Sequence, residues 1–267
     1  MTEFYSLDQF YSELEKLAPI KLSHLMIEKG CYDNSGILIR THDDVKKVMF
    51  TLDLSERAIK RAKKLGVDTI VTHHPAIYAP IKTVSTSDDD SYIVALSVKM
   101  NLNVISMHLN LDIATDGIDS ALADKISKGE KKIISKVAES NGYGREFLIE
   151  ETSLKNLFNL IKKEFSTDKA VVYGNKNEVV KSVASFCGAG SSDAVEYVKN
   201  SKESADVIVT SDAPHHAIKF LIEKGKKLIL LPHYVAEEVG FKKYFENISI
   251  VVNNKVKTLY FDDERFR

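Results

Sequence analysis

Cysteine is scarce in this 267-residue chain: Cys31 and Cys187 stand far apart and outside any CxxC spacing. That excludes a disulfide framework, disfavours a closed structural zinc site and fits a reducing compartment. Neither charge sign dominates, since 37 Lys and Arg face 38 Asp and Glu without long blocks, so neither nucleic acid nor a membrane surface is indicated as a partner. No run approaches the roughly 20 apolar residues of a membrane span. The opening "MTEFYSLDQFYSELEKLAP" carries acids throughout and lacks a basic start before an apolar run, so no secretory leader is expected and the location is read as cytoplasmic. A Gly-Lys-Ser/Thr phosphate loop is also missing, which disfavours an NTPase. With 44% hydrophobic residues the chain can still bury a sizeable core.

What is present alternates between strand and helix patterns. "VKKVMFTLDL" (45–54) reads as a strand. "SERAIKRAKKLG" (55–66) reads as a helix with Ser55 as N-cap, Ala58, Ile59, Ala62 and Leu65 at helical spacing, and Gly66 at its end. "VDTIVT" (67–72) is a buried strand, "SYIVALSVKMN" (91–101) a helix starting at Asp90 or Ser91, and "NVISM" (103–107) a third strand. This βαβαβ order favours a mainly parallel sheet with helices on its faces. The second half repeats the plan. "VKSVASFCG" (180–188) matches "VKKVMFTLD", a helix begins near Ser192, "ADVIVT" (205–210) matches "VDTIVT", and "KKLILLPH" (226–233) takes the place of "NLNVISMH". The same order at similar spacing predicts a duplicated unit. The expected fold is α/β with two similar domains: 1–125 plus 245–267, and 126–244. "KGEKKIISK" (128–136) reads as a charged connector and "SLKNLFNLIKKEF" (153–165) as an amphipathic helix. "ISIVVNNKVKTLYF" (248–261) reads as paired strands around Asn253-Asn254 that return to the first sheet.

Six of the eight histidines, His73, His74, His108, His215, His216 and His233, fall just past these strands. Open α/β sheets gather ligands at such carboxyl ends. Asp112 follows His108 by four residues in "HLNLD", and Glu237 follows His233 by four in "HYVAE". Helical or extended, the members of either pair can share a face. Imidazole with carboxylate suits Zn, Mn or Fe rather than Ca. His73 and His74 would point to opposite faces of a regular strand, and Pro75 halts the ladder after them. The two rings can therefore reach two neighbouring ions bridged by carboxylates, as in hydrolytic sites whose ions lie roughly 3.5–4 Å apart. In "CGAGSSDAV" (187–195), Gly188, Gly190, Ser191 and Ser192 lead into a helix and are candidates for binding a substrate phosphate or carboxylate, against the plainer reading of ordinary capping.

Four blocks, "TIVTHHPAIYAPIK", "SMHLNLDIATDGIDSALA", "ADVIVTSDAPHHAIKFLIEKG" and "LPHYVAEEVGFKKY", resemble the signature blocks of the NGG-interacting-factor-like family of dinuclear-metal-centre hexameric proteins, the GTP cyclohydrolase 1 type 2 family. They stand in family order and, with weaker likeness between them, cover nearly the whole chain. The resemblance implies two intertwined, similar α/β/α domains with mixed, mainly parallel sheets, and a ring-shaped homohexamer with metal sites facing its interior. It implies two divalent ions per subunit, Zn, Fe or Mn, held by His73, His74, Asp112, His233 and Glu237, with Asp112 and Glu237 best suited to bridge. His108 is expected behind the ligands or as a proton carrier. Two departures, Thr210-Ser211-Asp212 for the family's Thr-Gly-Glu/Asp and Pro232 for its Gly, concern loop shape rather than ligands. The connection 126–150 is too short for the domain that some members insert there.

The expected activity is hydrolysis of a C–N or phosphoester centre by water activated between two ions, with His108 or His216 carrying protons. The family name supplies GTP ring opening as the reaction and a nucleotide as the small-molecule substrate. The alternative is a non-catalytic hexameric adaptor or regulator that binds metal or nucleotide.

Overall fold

The computed structural model describes residues 4–267; the first three positions of the opening segment lie outside it. The chain divides into two compact units, residues up to Ala114 with Phe241–Glu264, and Thr115–Gly240 with Arg265–Arg267.

The first unit starts with β1 (Tyr5–Ser6), α1 (Leu7–Glu15) and α2 (Ile20–Glu28), followed by β2 (Gly36–Ile39) and β3 (Asp44–Val45). The predicted β-α-β-α-β run then appears as β4 (Lys47–Thr51), α3 (Glu56–Lys64), β5 (Thr69–Thr72), α4 (Asp89–Lys99) and β6 (Asn103–Ser106), with α5 (Leu109–Asp112) directly after it. Ser55 caps α3 by accepting the Ala58 N–H at 3.1 Å, and Ala58, Ile59 and Ala62 bury their side chains against Met49 and Ile70 of the sheet. The chain leaves that helix through Gly66 at φ +68°, a left-handed conformation that glycine adopts without steric cost. Asp88 is the N-cap of α4, slightly ahead of the expected start.

The second unit contains α6 (Ile118–Ile126), β7 (Lys132–Lys136), β8 (Gly142–Ser153), α7 (Leu154–Glu164) and β9 (Val171–Tyr173). Its own β-α-β-α-β run is β10 (Val179–Ser185), α8 (Ser191–Asn200), β11 (Val207–Thr210), α9 (His215–Glu223) and β12 (Lys227–Leu230). Helix α10 (His233–Val252) starts in this unit and finishes in the first, where β13 (Lys257–Tyr260) follows. The first sheet has the order β13-β4-β5-β6-β2, parallel except for β2. The second has the order β7-β8-β10-β11-β12-β9, with β10, β11 and β12 parallel and the flanking strands antiparallel.

The duplication is visible in hydrogen bonds as well as strand order. Asp68, just before β5, accepts the backbone N–H groups of Lys46 and Lys47 at 3.0 and 2.9 Å. Asp206, just before β11, accepts those of Lys181 and Ser182 at 2.9 and 3.1 Å. In each unit the aspartate of the D-x-I-V-T motif satisfies donors at the entry of the neighbouring V-K-x-V strand.

Three sequence expectations change. Residues 248–252 are helical: Phe241, Tyr244, Ile248 and Val252 are buried at helical spacing while Ile250 and Val251 face outward, a period that a strand cannot produce. Asn253-Asn254 therefore follows a helix, although β13 does return to the first sheet. The charged segment 132–136 is an edge strand paired with β8, its lysines placed where an exposed edge favours charge. Finally, α6 groups with the second unit, where Asp119 forms a buried pair with Arg145 of β8 at 2.8 Å.

Candidate metal centre

Strand β5 stops at Thr72, and the N–H groups of His73 and His74 both donate to the Leu52 carbonyl at 3.1 Å. Two successive donors on one acceptor break the strand's alternation, and the imidazole centroids lie 4.8 Å apart instead of on opposite faces. His73 is fully buried; its Nδ1 lies 2.8 Å from the Met107 carbonyl, which can only accept, so Nδ1 carries the proton and Nε2 presents a lone pair. That Nε2 lies 3.5 Å from Asp112 Oδ1. His74 places Nδ1 2.7 Å from Asp53 Oδ1, and His108 places Nδ1 2.7 Å from Asp33 Oδ1.

Each of these rings thus has its Nδ1 held by an oxygen acceptor. This is the arrangement by which proteins orient metal-binding imidazoles. One donor atom from each of His73, His108 and Asp112 falls within 4.8 Å of the others. An ion with bonds of about 2.0–2.2 Å would draw such donors slightly closer. The side chains therefore fit a transition-metal ion, and His108, expected behind the ligands or as a proton carrier, is one of the groups that could hold it.

Asp33 is buried, which alone would raise its pKa. Hydrogen bonds from His108 and Ser23, the charge of His108 and a hydrogen bond from Ser35 outweigh that and hold the carboxyl below its ordinary value. Ser35 Oγ also accepts the His108 N–H at 3.1 Å, so the loop that follows α2 fixes both ring and backbone. Neither Asp33 nor Asp53 was identified from sequence. Asp53 sits at a strand end and could have been found by the rule that singled out the histidines; Asp33 had no such signal.

In the second unit His233 and Glu237 occupy successive turns of α10, with Nε2 and Oε2 3.0 Å apart. His233 Nδ1 lies 2.6 Å from Asp212 Oδ2, repeating the carboxylate-held imidazole. Gly188 explains itself here. Its φ is +59°, and a Cβ at this position would collide with Glu237 Oε1 and stand 3.5 Å from His233 Nε2. Gly190 is hemmed in by Phe186, Tyr143 and Thr210. Ser191 and Ser192 open α8, whose first turn already contains Asp193, a carboxyl that burial pushes up. The two glycines are required by close packing, whatever the turn binds. Asp119 supports the turn by accepting the Cys187 N–H at 3.2 Å, and the Tyr143 hydroxyl donates to the Cys187 carbonyl.

The two units are not chemically equivalent. Register pairs Thr72 with Ser106 and Thr210 with Leu230, so His108 lies two residues past its strand pairing and His233 three. By the same register His74 corresponds to Asp212: one repeat has an imidazole where the other has the carboxylate that holds one. His216 lies exposed in the first turn of α9.

Fold and side chains together define a duplicated α/β protein with carboxylate-anchored imidazoles at the carboxyl ends of parallel strands. The family model for Duf34/NIF3 (NGG1p interacting factor 3) matches residues 5–265, and the chain belongs to that family. A GTP cyclohydrolase 1 type 2 homolog of Clostridium perfringens is 27% identical over 256 residues, covering 94% of each chain. One from Methanocaldococcus jannaschii is 30% identical over 234 residues, covering 86% of this chain and 91% of the relative. The crystal structure of a Bacillus cereus protein related to NIF3 has the same fold, with a TM-score of 0.86 at 17% identity over 97% of each chain. Among the described residues no helix is long and apolar enough to cross a membrane.

Proposed function

We propose that this protein is a divalent-metal-dependent hydrolase acting on a nucleotide, with two ions per subunit and the subunits assembled as a homohexamer. The proposed donors are His73, His74, His108, Asp112, His233 and Glu237. The observation that supports this most strongly is the anchoring of four imidazoles through Nδ1, three by carboxylates and one by a carbonyl. Surface histidines have no need of such partners, whereas metal-binding ones commonly have them. The two types of donor, imidazole nitrogen and carboxylate oxygen, suit Zn, Fe or Mn.

When bound, the ions would supply Lewis acidity and lower the pKa of a water molecule to near neutrality. The chain's own part is positional. Asp53, Asp33 and Asp212 hold the rings of His74, His108 and His233, and the Met107 carbonyl holds that of His73. Gly188 leaves the space that Glu237 occupies. The names of the relatives point to GTP as the first substrate to test.

Metal analysis of the native protein with His74→Ala and Glu237→Ala, followed by a screen of nucleotides and phosphoesters on the reconstituted protein, tests the reading. About two metals per chain are expected, with metal and turnover lost together in the variants. Metal retained without turnover on any compound would leave a binding protein, and no bound metal after reconstitution would refute the donor assignment.

A further inference from the structure

Beside the first unit's donors stand two tyrosines to which the metal chemistry gives no role. Tyr32 and Tyr78 are 50% and 53% exposed, yet their rings meet edge to face with centroids 4.9 Å apart at 66°. The Tyr78 centroid is 6.4 Å from that of His108, which in turn is 5.2 Å from that of His73. Exposed aromatic residues scattered singly need no explanation. A contacting pair that continues a row of imidazoles out to the surface is a different arrangement.

Both rings are carried on anchored backbone. Tyr32 immediately precedes Asp33, which is buried and bonded to His108, Ser23 and Ser35. On the other side, the Asn34 amide donates to the Ile77 carbonyl at 2.6 Å and the Ala76 N–H donates to Ser106 Oγ at 3.2 Å. The loop carrying Tyr78 is thereby tied to the segment carrying Tyr32. Tyrosine presents a large, stiff face at small cost in side-chain entropy, and rings held in advance lose little further freedom on binding.

We propose that Tyr32 and Tyr78 form an aromatic subsite that receives the planar heteroaromatic ring of a nucleotide whose reacting end lies at the metal donors. This rests on the hydrolase reading and extends it by naming what selects the substrate: a purine or similar ring stacked on an aromatic face. Tyr32 and Tyr78 act on binding of the ring and hold no metal.

The test is titration calorimetry of the metal-loaded protein with GTP and, as a ligand without a ring, inorganic triphosphate. The variants are Tyr32→Ala, Tyr78→Ala and Tyr78→Phe, with metal content measured for each. GTP affinity should fall roughly ten- to a hundredfold in the two alanine variants and stay near wild type in Tyr78→Phe, the range expected for losing one base–aromatic stack. Triphosphate affinity and metal content should not change. The inference is overturned if the alanine variants bind GTP like wild type, if triphosphate binding weakens equally, or if wild type binds GTP no better than triphosphate. If wild-type protein takes up no metal on reconstitution but still binds GTP better than triphosphate, and the alanine variants lose that preference, the subsite stands and the metal reading is refuted.

Discussion

Replacing Asp33 with Asn separates orientation of a donor from simple structural support. The carboxylate accepts from His108 Nδ1 at 2.7 Å, from Ser35 Oγ at 2.7 Å and from the buried Ser23 hydroxyl. His108 bonds Oδ1 and both serines bond Oδ2, so the amide can turn its one oxygen to only one side: either His108 faces an NH2 and its tautomer is no longer enforced, or both serines lose their acceptor. Loss of such an outer partner typically weakens metal binding ten- to a hundredfold, about 1.4–2.8 kcal/mol. Independently, an unsatisfied buried hydroxyl costs about 1–3 kcal/mol of folding stability. Chelator competition reads the first quantity and urea unfolding of metal-free protein reads the second. A double-mutant cycle with His108→Ala then isolates the coupling, because Asp33→Asn should weaken metal binding little further once the ring is gone. Metal affinity like wild type in Asp33→Asn, alongside reduced stability, would refute the view that Asp33 prepares His108 as a donor.

Further outcomes follow from other parts of the molecule. Gly188→Ala should lower metal content, because the new methyl group displaces Glu237 and the left-handed backbone adds strain of about 1–2 kcal/mol; elemental analysis showing full occupancy would contradict this. Asp119→Ala leaves the buried Arg145 guanidinium with the Gly142 and Gly144 carbonyls but without the Asp119 counter-charge and should destabilise the fold by about 3–5 kcal/mol, whereas Asp119→Leu with Arg145→Leu should recover much of the loss, as judged from urea midpoints. Burial pushes the Asp206 carboxyl up, but the backbone N–H groups of Lys181 and Ser182, the Ser182 side chain and the charge of Lys227 together hold it down. A depressed carboxyl stabilises the fold above its unfolded pKa of about 3.9, and this is lost as pH falls through the folded value. The stability gap between wild type and Asp206→Asn, open at neutral pH, should therefore close in acid; a gap independent of pH would show that the charge contributes nothing.

Local patterns determined much of this protein without help from its tertiary structure. The Ser55 cap, the apolar stripe of Ala58, Ile59 and Ala62, and the short runs at 69–72, 103–106, 207–210 and 227–230 lie within the reach of helix or strand periodicity. The histidines could be placed at strand ends because a strand's end and the residue after it are neighbours in sequence. Periodicity also misled where its window was too short. Ile248 to Val251 looks like strand until Phe241 and Tyr244 are included, which reveals the helical period. Only the fold could pair His108 with Asp33, 75 residues away, or His74 with Asp53, 21 away, since those contacts depend on loops brought together by the sheet. Only the fold could show that Gly188 is small because Glu237 occupies the space beside it, and that Tyr32 meets Tyr78. The sequence by itself decided which groups could serve as donors; their orientation, the protonated nitrogen on each ring and the aromatic neighbours were decided by tertiary packing, because those properties depend on contacts that no local window contains.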